Sequence, residues 1–432
     1  MSTSIPPAAE RQLPSLPLVD SSRQAWSFAL AGFLMETLLW GPLFSSGVYL
    51  KYYSATPPFS SSSETAISLI GTLSLLAGWL GLCCTSLLVA SFIKSVEALI
   101  VLQGLLPGLA AALCAFPIIK WIPQWFDRRK GLAAGIIFSG GGVGGAFMPS
   151  LTQFLIDRIG LSWTLRAWAM STAVIGGIAI CFVKPRLPIS ASRDVARMPM
   201  PPFFDTFLRA GFFGCFFTTL LQGFGYFNVG LFLPRLSDTL SATSGAGLLA
   251  AFNVSCILAQ IAWGHVTDRM RPASAMAISS LTGCILVLTL WGCGGDIGMA
   301  MFTPFAVTFG LATGGFSSMW SQSAYAVAGP DKERQTMLFS GFSIARGLGA
   351  AIGPTVGSAL YSPHPKSHGL HWGSAGSPGF VALVAASLAS SAAVGMLFDR
   401  GKQVWQAVIS KEDDDEAEGH EMTFRPAVRV DL

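Results

Sequence analysis

One arginine stands inside a long apolar segment of the chain and could bind an anion there. Arg346 lies between Ala345 and Gly347, about ten residues into an apolar run. A charge at such a depth is costly unless it faces a wet cavity or a partner, and a guanidinium can hold a carboxylate through two parallel hydrogen bonds. The alternative is an arginine near the helix end, with its head group in water or paired with a loop acid such as Asp268. The residue type favours an anion-binding group.

Glu36 is an acid inside the first apolar run of the chain. Burial pushes a carboxyl group toward its neutral form, so protonation of Glu36 could couple a proton gradient to the movement of another solute. The alternative is a carboxyl that stays protonated and is hydrogen-bonded to a neighbouring helix. The sequence leaves both interpretations open.

Amide side chains are scattered through the apolar runs of the second half of the chain. Facing a cavity, they could bind polar groups of a substrate, although hydrogen bonding between helices is the commoner use of such residues. The candidate substrate-binding amides are Gln222, Asn228, Asn253 and Gln260.

Glycines recur at helical spacing in two of the runs. Gly140, Gly142 and Gly145 match a dinucleotide-binding pattern, but a basic loop precedes them instead of a strand. Small residues let helices approach closely in lipid, and prolines bend them, so the sequence predicts packing surfaces. The predicted packing positions are Gly142, Gly144, Pro149, Gly349, Gly353 and Gly357.

Long apolar runs must position all of these side chains. Hydrophobic residues make up 52% of the 432 residues and charged residues only 12%, against about 25% in soluble proteins. This balance excludes an ordinary soluble protein and predicts an all-α polytopic membrane protein. The predicted spans are 26–50, 66–93, 98–119, 131–156, 165–183, 209–233, 245–266, 274–292, 299–322, 337–361 and 379–398.

A basic, proline-rich segment divides the runs into five before it and six after it. This count predicts a first half that is one helix short of the second, with the irregular run 66–93 as the place of the loss. The predicted organisation is a disordered cytosolic tail (1–25), an N-terminal bundle (26–183), a cytosolic linker (184–208), a C-terminal bundle (209–398) and an acidic cytosolic tail (399–432).

Charged loops between the runs predict the cytoplasmic side of the bundle. Arg128, Arg129 and Lys130 form one basic cluster, and Asp268 and Arg269 lie in another loop. By the positive-inside rule these loops face the cytoplasm, where they are candidate gating loops.

Other classes of function find little support in the sequence. The net charge of +4 is spread thinly over loops, which does not suggest a nucleic-acid partner. The eight cysteines lack metal-ligand spacing, and no nucleophile–base pair or acid pair is evident. We therefore expect no catalytic residues, no metal and no cofactor.

Three strings resemble a known family. Residues 20–26 (DSSRQAW) are similar to the segment that precedes its first helix, and residues 125–135 (WFDRRKGLAAG) to the signature that opens its fifth helix. Residues 264–269 (GHVTDR) are similar to its Gly-x-x-x-Asp-Arg loop. On these strings the chain resembles the major facilitator superfamily, and within it the monocarboxylate transporter-like branch with its fungal members. In the first half, the counterpart of the Gly-x-x-x-Asp-Arg loop and its flanking helix is missing.

The resemblance implies two helical bundles with 11–12 transmembrane helices that move a small organic anion, such as a monocarboxylate, or a related metabolite by alternating access. Arg346 would anchor the anion, Glu36 would carry a proton for symport, and the charged loops would latch the cytoplasmic side. We expect a monomer in the plasma membrane, with an internal (vacuolar) membrane as the alternative. A non-transporting relic, a sensor or a truncated splice product is the rival interpretation, because the first half lacks the counterpart of one helix.

Overall fold

A computed structural model of the chain describes residues 17–44, 80–183, 206–207, 210–234, 242–294, 298–361, 372–373 and 376–397, together with Arg186. These residues form an all-helical bundle, as the sequence predicts. The helices are α1 (Arg23–Phe44), α2 (Leu80–Ala90), α3 (Val96–Trp125), α4 (Lys130–Phe182), α5 (Ala210–Phe232), α6 (Ala242–Thr267), α7 (Pro272–Trp291), α8 (Met299–Ala328), α9 (Lys332–Leu360) and α10 (Pro378–Leu397).

Six of the described helices are long and apolar enough to cross a membrane: α3, α4, α6, α7, α8 and α10. The expected multi-pass membrane protein is thus confirmed by length and composition. Residues 1–16 of the predicted N-terminal tail, the C-terminal tail, most of the linker and residues 66–79 of the irregular run 66–93 lie outside the described residues. Residues 23–25 of the predicted N-terminal tail belong to α1.

Helix α4 is long enough for two spans and is broken at one glycine. Gly160 has φ 78° and ψ 165°, a conformation that a residue with a side chain rarely adopts. The predicted spans 131–156 and 165–183 therefore correspond to the two arms of α4, residues 130–159 and 161–182.

Within the first half, α1 packs along the first arm of α4. Phe28, Met35 and Ile137 are buried in the cluster that joins these two helices to α3. Gly140 lies against the backbone of Phe33 at this contact, which leaves no room for a Cβ. Burying large apolar side chains here, at about 25 cal/mol per Å², holds α4 in a fixed orientation.

Within the second half, α9 lies against α5 along a glycine face. Gly349 and Gly353 lie against the backbone of Leu220 and Phe224. The predicted packing glycines of α9 thus have their described neighbours inside their own half.

Between the halves, the first arm of α4 runs against α6. Gly131 lies against Gly264, Gly135 against the backbone of Gln260, and Gly142 against Ile257. A Cβ at the first two positions would overlap the facing backbone, so the two helices approach closely only because glycine is present.

Candidate functional site

A cavity lies between the two halves, beside the contact of α4 with α6. Its volume is about 60 Å³, room for roughly four to six water molecules. The first half contributes residues of α4, and the second half contributes residues of α5, α6, α8 and α9. The lining residues are Phe138, Gly141, Gly142, Tyr226, Phe227, Asn253, Cys256, Gln260, Gly314, Ser317 and Arg346.

Arg346 is the charged residue among those that line this cavity. It is 9% exposed, and its guanidinium carbon lies 4.8 Å from the ring centre of Tyr226 and 5.1 Å from that of Phe227. Within the described part of the chain, no carboxylate forms an ion pair with it. The electron-rich faces of aromatic rings stabilise a cation and replace part of its hydration, but they do not neutralise its charge. The cavity therefore carries a net positive charge in the described residues.

Gln222 holds the guanidinium of Arg346 in place. Nη1 of Arg346 donates to Oε1 of Gln222 at 2.6 Å, and Nε2 of Gln222 donates to the backbone oxygen of Thr313 at 3.2 Å. Both ends of the amide are thus used by the protein, and Gln222 is fully buried outside the cavity lining. Its position suits orienting Arg346 better than contacting a substrate.

Asp268, the alternative partner considered for Arg346, is bound elsewhere. Its two carboxylate oxygens accept hydrogen bonds from the backbone N–H groups of Gly131 (2.7 Å) and Leu132 (2.9 Å), and Gln322 donates to it at 2.6 Å. A carboxylate at a helix N-terminus is favoured by the helix dipole. This carboxylate belongs to the second half and the helix to the first, so the contact joins the two halves. We call the contact of Asp268 with the N–H groups of Gly131 and Leu132 the latch.

Lys130 strengthens the latch from the first half. Its ammonium is buried, pairs with Asp127 at 3.0 Å and lies 4.1 Å above the ring of Tyr325 in α8. The other predicted gating side chains, Arg128, Arg129 and Arg269, lie at the same end of the bundle.

The loop before α4 is fixed by an acid near the start of the described chain. The carboxylate of Asp20 accepts hydrogen bonds from the backbone N–H groups of Asp127, Arg128 and Arg129 at 3.0–3.3 Å. Asp20, the first residue of the DSSRQAW string, therefore lies at the same end of the bundle as the basic loop.

An aromatic layer separates the cavity from the latch. Phe138 of α4 stacks on Phe339 of α9 with ring centres 5.8 Å apart, and Trp320 of α8 packs edge-on against Phe339 at 5.4 Å. Phe138 lies between the latch residue Gly131 and the cavity residue Gly142 along α4. The layer and the latch together close the cavity on the side of the basic loops.

Comparisons with known proteins agree with this architecture. Residues 215–413 match the family model described as Major Facilitator Superfamily. An MFS-type transporter of Aspergillus niger, pynF, is 27% identical over 82% of this chain and 86% of its own length. The second half of the chain thus matches the major facilitator superfamily, and most of its length is similar to transporters of that name. A second relative, the aspyridones efflux protein apdF of Emericella nidulans, is 24% identical over 81% of this chain and 74% of its own length.

A solved structure shows the same fold. The human organic anion transporter MFSD10 superposes with a TM-score of 0.58 over 87% of this chain and 98% of its own chain, at 14% identity. The family model and these relatives confirm the resemblance to the superfamily that the sequence indicates, and the relatives are named transporters. The assignment to the monocarboxylate transporter-like branch stays a prediction.

The remaining predicted site residues fall into two groups. Asn253 and Gln260 line the cavity, whereas Glu36 and Asn228 are buried away from its lining. Asn228 donates to the backbone oxygen of Phe224, and its own oxygen lies against Gly357 of α9. It contributes to packing within the second half. Oε1 of Gln260 accepts from the backbone N–H of Ser318 at 3.2 Å.

Two polar groups of the cavity are not predicted by the sequence. Tyr226 and Cys256 line it, with the hydroxyl oxygen and the sulfur 3.4 Å apart in a hydrogen bond. An aromatic residue and a cysteine in apolar runs carry no signal in the sequence that separates cavity from core. Spacing does not help either, because the two residues come from different helices.

Proposed function

We propose that this protein is a secondary active transporter of a small organic anion with one negative charge, such as a monocarboxylate or related metabolite. The observation that carries the proposal is Arg346, a buried guanidinium in a cavity between the halves with no carboxylate partner among the described residues. A buried charge without a counter-ion is costly, so an anion that enters the cavity gains the interaction that the protein itself withholds.

The cavity suits an anion with an apolar body. One of the five N–H donors of Arg346 is used by Gln222, and the others can bind a carboxylate. The rings of Tyr226, Phe227 and Phe138 would contact the rest of the substrate. In the closed arrangement of the halves, a volume of about 60 Å³ suits a compact molecule.

Transport would proceed by rocking of the two halves about the cavity. Opening toward the basic loops must release the Asp268 carboxylate from the N-terminus of α4 and separate Phe138 from Phe339. The glycine contact of α4 with α6 would let the helices move without interlocked side chains. Glu36, buried in α1, is the candidate proton carrier for symport.

Two similar proteins support an organic anion or metabolite as substrate. One is named an aspyridones efflux protein and the structural neighbour an organic anion transporter. We propose a monomer in the plasma membrane; the efflux relative makes export a direction to test beside uptake.

The decisive experiment is counterflow of labelled monocarboxylates and larger organic anions into proteoliposomes that contain the purified protein. We expect Arg346→Ala to reduce transport at least tenfold, because loss of one charged hydrogen bond costs about 1.5–3 kcal/mol. Arg346→Lys should retain part of the activity, since the charge remains but the two-pronged geometry is lost.

Arg158→Ala is the matched control, an exposed arginine of α4 outside the cavity lining, and it should leave transport unchanged. Unchanged transport by the Arg346→Ala variant would contradict the proposal that Arg346 binds the substrate anion. Anion binding without counterflow by the wild-type protein would favour the rival interpretation, a non-transporting sensor.

A further inference from the structure

A proline in α4 leaves one backbone carbonyl without its helical donor. Pro149 lies inside α4 and has no N–H to donate to the carbonyl of Gly145, four residues earlier. In the membrane interior an unsatisfied carbonyl costs several kcal/mol, so it must find another donor. The sequence predicts Pro149 as a packing and bending position only.

The replacement donor comes from the other half of the molecule. Nδ2 of Asn253, in α6, donates to the backbone oxygen of Gly145 at 3.2 Å and to the backbone oxygen of Leu249 at 2.9 Å. The second bond fixes the amide on its own helix, and both hydrogens of the amino group are used. Asn253 is 3% exposed, so water competes little for the contact.

This hydrogen bond lies far from the latch. Gly131 and Gly145 are separated by fourteen residues of α4, or about 21 Å along the helix. The latch lies at the basic-loop end, whereas Asn253 lines the cavity. Rigid-body rocking displaces the ends of the halves most and the level of the cavity least.

We propose that Asn253 is a positioning residue that joins the two halves at the pivot, by replacing the donor that Pro149 removes from α4. The hydrogen bond from Asn253 to Gly145 persists while the Asp268 latch opens and closes. It holds the cavity walls contributed by α4 and α6 in register in both states. Its transport consequence rests on the proposed function, but the bond itself does not.

The test is a double-mutant cycle of Asn253→Ala with Pro149→Ala, read first by thermal unfolding of the purified protein. The Pro149→Ala change restores an N–H to the Gly145 carbonyl, which makes the donor from α6 redundant. We expect Asn253→Ala to lower the Tm by about 2 °C when Pro149 is present and by much less in the Pro149→Ala background. Equal shifts in both backgrounds would overturn the proposal.

Asn228→Ala is the matched control, because this buried amide contacts only described residues of its own half. Its effect on Tm should be the same with Pro149 present and in the Pro149→Ala background. Asn253→Leu guards against a Pro149→Ala protein that fails to fold. Leucine has nearly the size of asparagine but no hydrogen-bond donor, so it should lower the Tm as Asn253→Ala does; wild-type Tm would contradict the proposal.

The transport readout separates positioning from mere stability. In proteoliposomes, Asn253→Ala should lower Vmax severalfold with little change in KM, and Pro149→Ala should restore Vmax. A raised KM that Pro149→Ala does not rescue would make Asn253 a substrate contact and overturn the pivot. If neither the wild-type protein nor any variant transports an anion, the proposed function is wrong. The Tm cycle still tests whether the hydrogen bond from Asn253 to Gly145 exists.

Discussion

At the scale of single residues, the charge of the cavity depends on one uncharged neighbour. Gln222 accepts the hydrogen bond from Arg346 without neutralising it, whereas an acid at that position would form an ion pair. The amide also donates to Thr313, so its orientation is determined by the backbone of α8. The charge that an anion meets therefore depends on an amide that is not part of the cavity wall.

We predict that Gln222→Glu weakens anion transport in a pH-dependent way. The ionised carboxylate introduced by this change would pair with Arg346 and compete with the substrate, which should raise KM about tenfold. As the pH falls, the carboxyl protonates, loses its charge and frees Arg346, so transport should recover. Transport measured across a pH series tests this. Gln222→Leu, which removes the hydrogen bond without adding a charge, should show a loss that does not depend on pH in this way.

At the scale of helices, the two halves meet through backbone contacts. Gly131 and Gly135 of α4 lie against the backbone of α6, and Asp268 caps the N-terminus of α4 across the same interface. The hydrogen bonds of such a contact are either formed or broken, because a carboxylate either binds the N–H groups or does not. They suit a helix pair that alternates between two arrangements.

We predict that Asp268→Asn shifts the bundle toward the state open at the basic loops. The amide keeps the shape of the carboxylate but loses the charge that the helix N-terminus favours. A loss of about 1 kcal/mol changes the ratio of the two states about fivefold. We would attach spin labels to cysteines introduced at Arg129 and Lys332 in a cysteine-free background and measure the distance between them by double electron–electron resonance. This distance should be longer in the variant.

For the same measurement, Asp157→Asn serves as the control, since it makes the same substitution at an exposed position of α4 away from the latch. An unchanged distance distribution in Asp268→Asn would show that the carboxylate does not hold the halves together.

A second helix-scale prediction concerns the close approach of α4 to α6. Gly135→Ala should impair closure and transport severalfold, because its Cβ would overlap the backbone of Gln260. Gly177→Ala, in the second arm of α4, has open space around it and removes a glycine from a helix, so it should be tolerated or slightly stabilising. Thermal unfolding and counterflow of both variants test the difference; equal behaviour would argue against a backbone contact.

At the scale of the whole molecule, the hydrogen bonds of Asp20 with the basic loop place these two segments at one end of the bundle. The cavity is closed toward that end by the latch and the aromatic layer. The positive-inside rule predicts that this end faces the cytoplasm. We therefore expect the closed side of the cavity to be the cytoplasmic side.

We predict that single cysteines introduced at Ser21 and Arg129 share one side of the membrane. In sealed cells that express a cysteine-free background, both should resist a membrane-impermeant thiol reagent and react after permeabilisation. Labelling of only one of the two in sealed cells would contradict the contact of Asp20 with the loop and the closed cytoplasmic side.

The positions of the described helices could be read from the sequence, because hydropathy and charge are local properties. The predicted runs 98–119, 209–233 and 245–266 correspond to α3, α5 and α6 within a few residues. The family strings and the charged loops carried the superfamily assignment in the same way. A buried arginine was also recognisable, since few residue types are as costly in an apolar run.

What only the tertiary structure decided is which groups meet. Gln222 reaches Arg346 across 124 residues, Asp268 caps α4 across 137, and Asn253 donates to Gly145 across 108. Each pairing depends on the rotation of a helix about its axis and on which half it faces. Local hydropathy predicts neither the rotation of a helix nor the half that it faces, because every face of a membrane helix is largely apolar. Arg346, Asn253 and Asp268 were visible in the sequence as residues that could act, but their partners follow from the packing of the two halves.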